Sequence, residues 1–272
     1  MGNYEYNQVS REEYIKYCDE AQQLLHDVSL FANEPVSKIN YLDIINYFQK
    51  SFNLHFSFFE TDPSKGCKTI LPSRSRIRYK NIIEDADLCF LDKEVVERIS
   101  GVTIPQGNRT LIFINQNCIQ PRLIFTILHE LCHFYFHIRN EKHKEYFVSL
   151  SNDKFTGTYS DDLIPFENEA NIVSSILFCP KDTLEQMILS DYSFKKMCRT
   201  VGMSEAAMHN RLLNYFEHII EMPYYIALKH VWEIRNGVLR GKNSIRYRIK
   251  MMHRNLEDSA FFSKYQNEGD FF

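Results

Sequence analysis

Several hallmarks of large protein classes are missing from this sequence of 272 residues. No stretch approaches the roughly 18 uninterrupted apolar residues that a membrane helix requires, and the polar, tyrosine-rich start lacks the apolar segment of a signal peptide. The seven cysteines are scattered, odd in number and never spaced as CxxC, which argues against a disulfide framework and against a zinc site of thiolates. We therefore expect a cytosolic protein that does not bind membranes.

The composition is otherwise ordinary for a globular chain, with 44% hydrophobic residues and a formal net charge of -3. This length and composition suit one core domain with a smaller appendage. A capping box at Ser10 and Glu13 opens a first helix, a second helical pattern follows Pro35, and "LHFSFF" alternates like a strand. Residues 68–115 consist of short apolar runs broken by proline, glycine and asparagine, which predicts a small antiparallel sheet.

Two further helices are predicted downstream of this sheet. The stretch "PRLIFTILHELCHFYFHI" starts at Pro121, which suits a first helical position, and it is apolar on nearly every side, which indicates a buried helix. The stretch "PFENEANIVSSILFCP" is bracketed by Pro165 and Pro180. Residues 139–162 between the two helices are polar and contain turn-forming residues, so we interpret them as a long surface connection of the kind that often forms a lid or a binding loop.

The motif HELCH within the buried helix carries the strongest chemical signal. His129 and His133 are four residues apart and project from one helix face, so that both rings can meet a single cation. Glu130 is turned by about 100° and would reach water rather than the metal, as a general base does. The alternative is a pair of core histidines satisfied by hydrogen bonds, because short motifs also occur by chance. Cys132 is interpreted as a packing residue.

His137 continues the spacing of four residues, but a straight helix cannot supply all three ligands of one zinc ion. Eight helical residues rise by about 12 Å, whereas two ligands of one zinc lie within about 4 Å of each other. The glycine that lets metzincins turn back after HExxHxxG is also missing. We therefore expect His137 either to support the ligands from behind or to lie at the surface.

A catalytic zinc site needs a third protein ligand and one open position. On the helix after Pro165, Glu169 shares a stripe with the apolar residues Phe166, Ala170, Val173, Ile176 and Leu177. A carboxylate in such a stripe is costly to bury unless it is paired or binds a metal, so we predict Glu169 as the third ligand. The alternative for Glu169 is a salt bridge to a core arginine. Glu167 lines up with Asn171 and Ser174, and we interpret it as an exposed acid favoured at a helix start.

Three blocks of the sequence carry a family resemblance. "RLIFTILHELCHFYFH" is similar to an RxxFTxxHExxH block, "ENEANIVSSILFCP" to an ExEANxFAxxLLxP block, and "VGMSEAAMHNRLLNYF" to a VSxxAxxxRL block. Together with the upstream "ISGVTIPQGNRTLIFIN", these blocks resemble the ImmA/IrrE-type metallopeptidases, a gluzincin-like group of bacterial and phage regulators, and the resemblance covers roughly residues 35–216. Cys132 stands where that family usually has glycine, and Val173 and Ser174 replace its usual Phe-Ala.

The resemblance implies an α+β fold with a mostly helical zincin-like metallopeptidase core and a small antiparallel sheet, over residues 1–185. It also implies a zinc-dependent endopeptidase that cleaves a helix-turn-helix repressor, often encoded nearby on a mobile element, and thereby relieves repression. The residues predicted for this chemistry are His129, His133 and Glu169 as ligands of Zn²⁺ and Glu130 as the base. Mn²⁺ fits the same nitrogen and oxygen donors.

Residues 186–272 are expected to differ in character from the core. The stretch "SFKKMCRTVGMSEAAMHNRLLNYF" has a helix, a tight turn at Gly202 and a helix capped by Ser204, the helix-turn-helix pattern. Its second helix offers only Arg211 as a firm cation, so we favour a structural helix pair over a DNA reader. Between Lys229 and Arg254, eight Lys or Arg accompany one acid, and "SIRYRIKM" alternates like a strand with one basic face. Nucleic acid or an acidic partner would fit that face, but a solvated strand face is favoured.

Two functions fit the sequence, besides an interaction scaffold without a metal. The leading hypothesis is a cytosolic metalloendopeptidase that acts on a protein regulator, and it depends on the carboxylate of Glu169 meeting the two histidines. The second is a non-catalytic regulator that binds DNA or a repressor, with a structural or vestigial metal site. The group that stabilises the oxyanion stays open, with Tyr135, Tyr159 and Arg122 as candidates.

Overall fold

A computed structural model of the chain describes residues 9–62, 82–83, 85–139, 146–150 and 161–268. The chain forms two compact units, Met1–Phe178 and Cys179–Phe272. The sequence-based boundary, after residue 185, falls inside the first helix of the second unit. Among the described residues, no helix has both the length and the apolar character needed to cross a membrane.

The first unit opens with two capped helices. α1 (Arg11–Ala32) follows the predicted capping box, in which the Ser10 hydroxyl accepts from Glu13 N and the Glu13 carboxylate accepts from Ser10 N. α2 (Tyr41–Ser51) is capped in the same way by Asn40. Each helix buries one apolar face, so the helical periodicity of both segments is confirmed.

A five-stranded sheet follows. Its strands are β1 (Leu54–Thr61), β2 (Asp87–Leu91), β3 (Ile99–Gln106), β4 (Arg109–Asn115) and β5 (Phe147–Leu150), and a short helix, α3 (Lys93–Arg98), joins β2 to β3. Their order is β2-β1-β4-β3-β5. The prediction of an antiparallel sheet is wrong for half of it, because β1 runs parallel to β2 and β4 while β3 runs antiparallel to β4 and β5. Parallel pairing is open to β1 and β2 since the chain between them, residues 62–86, is long enough for a crossover.

Two long helices complete the core of this unit. α4 (Gln120–Cys132) packs against β3, β4 and α5 (Ile164–Phe178), and α5 packs in turn against α1. Every residue from Thr126 to Cys132 is buried, as predicted for this helix. α4 continues into a π-helical turn, His133–Ile138, a rare geometry that is frequent at functional sites. The predicted α+β class with a zincin-like core is therefore confirmed.

The strand β5 lies within the segment that the sequence analysis interpreted as a surface connection. Phe147 and Ser149 of this strand are buried, so the interpretation is wrong for residues 147–150. A four-residue strand in polar sequence offers too little periodicity to be recognised. The expectation of a lid falls on residues 140–145 and 151–160, which lie outside the described residues.

The second unit is helical throughout its described part. Its helices are α6 (Lys181–Leu189), α7 (Phe194–Val201), α8 (Glu205–Asn214), α9 (Tyr224–Arg235) and α10 (Leu239–Glu268). Gly202, at φ 77°, ends α7, and Ser204 caps α8, as predicted for the helix-turn-helix-like pair. Arg211 of α8 is buried and donates a hydrogen bond of 3.0 Å to the Cys179 carbonyl. The cation considered for DNA binding therefore joins α8 to the chain segment before α6, inside the second unit.

The predicted basic strand at "SIRYRIKM" is wrong, because these residues lie within α10. Ile245 and Ile249, four residues apart, are fully buried, whereas Tyr247 between them is exposed. Over eight residues, apolar side chains that alternate with polar ones are compatible with a strand and also with one face of a helix. Because the two buried isoleucines are four residues apart, they lie on the same helix face. On the outer side, Lys242 pairs with Asp191 at 2.8 Å.

Candidate metal centre

α4 brings the two histidines of the HELCH motif together. Nε2 of His129 and Nε2 of His133 are 2.9 Å apart. Both rings are buried, and they meet edge to face with centroids 4.6 Å apart. This proximity follows from their spacing of four residues on one helix face. The two nitrogens thus point to a common position, as a shared cation requires.

The carboxylate that joins the histidines comes from α5, and it belongs to Glu167. Its Oε2 lies 3.3 Å from His129 Nε2, and its Oε1 lies 3.3 Å from His133 Nε2. In the part of the chain that the structure describes, these three residues are the group whose ligand atoms all lie within 4.8 Å of one another. Donors at about 2.0–2.1 Å from a tetrahedral zinc ion lie roughly 3.3 Å apart. The trio therefore fits such an ion in spacing and in donor type.

The structure brings Glu167, and not the predicted third ligand Glu169, to the two histidines, and the prediction that Glu167 is exposed is wrong because this residue is buried. Glu169 turns to His137, with Oε1 at 3.3 Å from Nε2, and its Oε2 lies 3.5 Å from Lys16 Nζ. Because α5 packs against both α4 and α1, both acids are buried, and burial alone does not identify the ligand. Pairing with a cation, the alternative considered for Glu169, is nearer to what is observed, although the cation is a lysine.

The charge of the trio follows from burial and from these short contacts. Burial alone would lower the pKa of His129, but the hydrogen bond and charge of Glu167 raise it above its ordinary value. At His133 burial outweighs the same partner and lowers the pKa to about 3. Burial would raise the pKa of Glu167, but the two histidines lower it to about 2. The opposite shifts of the two histidines thus arise from one carboxylate that both imidazoles share, and a metal ion bound to such a cluster displaces protons from it.

Glu130 is fully buried between α4 and the sheet. Its Oε2 accepts a hydrogen bond from Thr103 Oγ1 on β3, and its Oε1 accepts one from Ser149 Oγ on β5, each 2.5 Å long. A Cβ at Gly101 would overlap the Glu130 carboxylate, so the glycine leaves the space that this side chain fills. Burial raises the pKa of Glu130 to about 7. A carboxylate with such a pKa can take up and return a proton near neutral pH.

Comparison with known families bears on this geometry. Residues 91–213 match the family model of the IrrE N-terminal-like domain, peptidase family M78. Residues 91–213 are therefore assigned to the M78 peptidase family. The matched range includes α4, β5 and α5, and with them His129, Glu130, His133 and Glu167. A search of curated proteins found no match.

The family match confirms the resemblance inferred from the three sequence blocks. An M78 domain is of the metallopeptidase class, which implies a metal ion and a protein substrate. The chemistry of the trio agrees with this class, since two imidazoles and a carboxylate are a common donor set of catalytic zinc.

Sequence reasoning missed the groups that hold Glu130 in the M78 domain. Gly101 and Thr103 lie two positions apart on β3, so they share the face of the strand that meets α4. Two small residues at that spacing are the signal that could have located the pocket for Glu130. Ser149 had no such signal, because β5 was not recognised as a strand.

The three candidates for stabilising an oxyanion have different outcomes. The Tyr135 hydroxyl donates to Asp27 Oδ2 at 3.0 Å, and the Arg122 guanidinium donates to Ser100 Oγ at 2.9 Å. The positive charge of Arg122 also acts on His129, whose pKa it lowers slightly against the effect of the carboxylates. Tyr159 lies outside the described residues. Of the two candidates that the structure describes, Arg122 is the one whose charge acts on a member of the trio.

Proposed function

We propose that the M78 domain is a zinc-dependent endopeptidase whose metal is held by His129, His133 and Glu167. The observation that carries this proposal is the convergence of two imidazole nitrogens, 2.9 Å apart, and a carboxylate whose two oxygens each lie 3.3 Å from one of them, separations close to those between the donors of a tetrahedral zinc site. Three protein ligands leave a fourth position for solvent or substrate, as catalytic zinc sites do. Manganese is the alternative for the same donors.

Glu130 is the proposed general base. The bound metal would acidify water and polarise the peptide carbonyl. Glu130 would take the proton of the attacking water and pass it to the leaving amine. The hydroxyls of Thr103 and Ser149 orient the carboxylate for this task, and the surrounding sheet keeps bulk water from it. Glu130 follows a ligand directly on α4, so the base and the metal are held by one rigid helix.

The proposed substrate is a helix-turn-helix repressor, cut in the cytoplasm. The support for this substrate is the family resemblance, in which such peptidases relieve repression by cleaving a repressor that is often encoded nearby. Burial of Arg211 in the α7–α8 pair favours a protein partner over DNA, since a DNA reader of this type presents cations to the phosphates.

The proposal is tested by incubating the purified zinc-loaded protein with the repressor encoded next to its gene and identifying the products by mass spectrometry. Glu130→Gln keeps the shape of the side chain and removes the base, so we expect unchanged zinc content and a cleavage rate lower by about 10²–10⁴-fold. Glu94→Gln, at an exposed position of α3, is the matched control and should cleave at the wild-type rate.

Two outcomes would contradict the proposal at different points. Cleavage by Glu130→Gln at the wild-type rate would show that another group is the base. Wild-type protein that takes up neither zinc nor manganese would exclude the metal site itself.

A further inference from the structure

A series of polar contacts leads from His133, on its side away from the metal position, to Lys16 on α1. His133 Nδ1 lies 2.9 Å from His137 Nδ1, and His137 Nε2 lies 3.3 Å from Glu169 Oε1. Glu169 Oε2 lies 3.5 Å from Lys16 Nζ on α1. Both imidazoles are fully buried and Glu169 nearly so, whereas Lys16 is more than half exposed. We call His133, His137, Glu169 and Lys16 the support chain.

The support chain permits one placement of protons when His133 is a ligand. Nε2 of His133 must offer its lone pair to the metal, so the proton of this neutral ring is on Nδ1. That N–H then donates to Nδ1 of His137, which must be the unprotonated nitrogen of its ring. The proton of His137 is therefore on Nε2, which faces the Glu169 carboxylate. The charge of Lys16 compensates that of Glu169.

Aromatic side chains contact both imidazoles. Phe147 of β5 stacks on His133 with an interplanar angle of 16° and centroids 4.2 Å apart. Phe166 of α5 meets the His137 ring edge to face at 4.9 Å. The π-helical turn that contains both histidines keeps their centroids 5.1 Å apart. By contrast with Nδ1 of His133, Nδ1 of His129 has no hydrogen-bond partner within the described residues, and the 3.3 Å contact of His137 Nε2 with Glu169 Oε1 is electrostatic rather than a formed hydrogen bond.

We propose that His137, held by Glu169, is a positioning residue that sets the tautomer and orientation of the metal ligand His133. This inference rests on the proposed zinc site and assigns a role to the acid that the sequence analysis placed on the metal. Hydrogen-bond partners behind a ligating histidine fix its ring and raise its basicity, and their loss typically weakens metal binding by roughly 10–100-fold. Because His129 has no such partner among the described residues, the effect should be concentrated at His133.

The first test measures zinc affinity by competition with a chelator, together with urea unfolding of each metal-free variant. His137→Leu removes the acceptor and should weaken zinc binding by roughly 10–100-fold. His137→Asn restores an acceptor oxygen near the position of Nδ1 and should recover most of the affinity. The matched control is Phe166→Leu, which removes packing from the His137 ring and leaves the hydrogen bonds in place.

The results separate positioning from packing. Rescue by His137→Asn, with little change of affinity in Phe166→Leu, would support the proposal. Equal affinities for wild type and His137→Leu would overturn it, as would a loss in Phe166→Leu as large as that in His137→Leu. Wild-type protein that binds no zinc would overturn the proposed function as well, so the two failures are distinguishable.

A second measurement needs no variant. In the zinc-loaded wild-type protein with ¹⁵N-labelled histidine, long-range ¹H–¹⁵N correlations should show the proton of His133 on Nδ1 and that of His137 on Nε2. A proton on Nδ1 of His137 would overturn the proposal, because that nitrogen could then not accept from His133.

Discussion

The two units each bury a carboxylate that contacts histidine, and the partners of the two carboxylates differ. In the second unit, Glu185 Oε1 accepts a hydrogen bond of 2.5 Å from the Tyr215 hydroxyl, and its Oε2 lies 2.6 Å from His253 Nε2. Each acceptor there faces a donor, so the cluster is complete without an ion. In the M78 site, Glu167 and two imidazole nitrogens turn lone pairs toward one position. Burial of a carboxylate therefore does not define a metal site; the convergence of three possible ligand atoms does.

The largest expected effect comes from removing each of these carboxylates. Glu167→Ala should weaken zinc binding by more than about 100-fold, beyond the range seen when a supporting group is lost, because it deletes a ligand. Glu185→Ala should leave zinc affinity unchanged and lower the free energy of unfolding by about 1–3 kcal/mol, because the Tyr215 hydroxyl loses its acceptor. Chelator competition and urea unfolding measure the two quantities. Wild-type zinc affinity in Glu167→Ala would remove the distinction between the clusters.

Removal of the metal should destabilise proteins that keep Glu167 and have little effect on the variant that lacks it. At free zinc about 100 times above its dissociation constant, binding adds about 2.7 kcal/mol to the free energy of unfolding, if the unfolded chain does not bind zinc. We expect a chelator to abolish this increment in wild type and in Glu185→Gln. The same chelator should change the stability of Glu167→Ala by less than about 0.4 kcal/mol, because at that zinc concentration its weakened site is at most about half occupied. Far-UV circular dichroism in urea measures all three proteins, and an equal chelator effect in Glu167→Ala would contradict the site.

The sequence was sufficient where one physical signal dominates. The apolar surroundings of HELCH and the proline before it predicted a buried helix, and a spacing of four residues brought His129 and His133 together. Prediction from the sequence failed where one residue pattern is compatible with two structures. A helical wheel assumes that one face of a helix is exposed, but the faces of α5 that carry Glu167 and Glu169 are both buried. The wheel therefore predicts that Glu167 faces solvent and leaves Glu169 as the ligand.

Two further failures concern length. β5 has four residues, too few for its alternation to stand out, and the eight residues of "SIRYRIKM" fit a strand as well as a helix. Both outcomes depend on partners distant in sequence: β3 for β5, and the helices packed against α10. Ser149, which binds Glu130, was missed for the same reason.

A smaller loss of stability, in Tyr215→Phe, tests whether the Glu185 cluster has a structural role alone. Tyr215→Phe removes one donor to the buried carboxylate, and we expect it to lower the free energy of unfolding by about 1.5 kcal/mol, as for a hydrogen bond to a charged group. Tyr247→Phe makes the same chemical change at an exposed tyrosine and should stay within about 0.5 kcal/mol of wild type. Neither variant should change zinc affinity. A marked loss of zinc binding in Tyr215→Phe would show that the second unit contributes to the metal site.

His129 in the first unit and His209 in the second unit differ in the sign of their pKa shifts. The Glu167 carboxylate raises the pKa of His129, whereas burial, aided by the positive charge of Arg235, lowers that of His209. Nη1 of Arg235 lies 3.2 Å from His209 Nδ1, and the Trp232 ring meets the imidazole edge to face. His209 therefore stays neutral in the folded protein at pH values where the same side chain in an unfolded chain is already protonated.

The smallest predicted effect tests this cause. Arg235→Gln should raise the pKa of His209 toward its ordinary value of 6.5 in an NMR titration, and Arg199→Gln, which removes an exposed cation from α7, should leave it unchanged. The folded state binds this proton less readily than the unfolded state, so the stability linked to His209 is present above the ordinary pKa and is lost as the pH falls below it. Arg235→Gln should reduce that loss. An unchanged His209 pKa in Arg235→Gln would leave burial as its sole cause, and the contrast between a histidine beside a carboxylate and one beside a guanidinium would no longer hold.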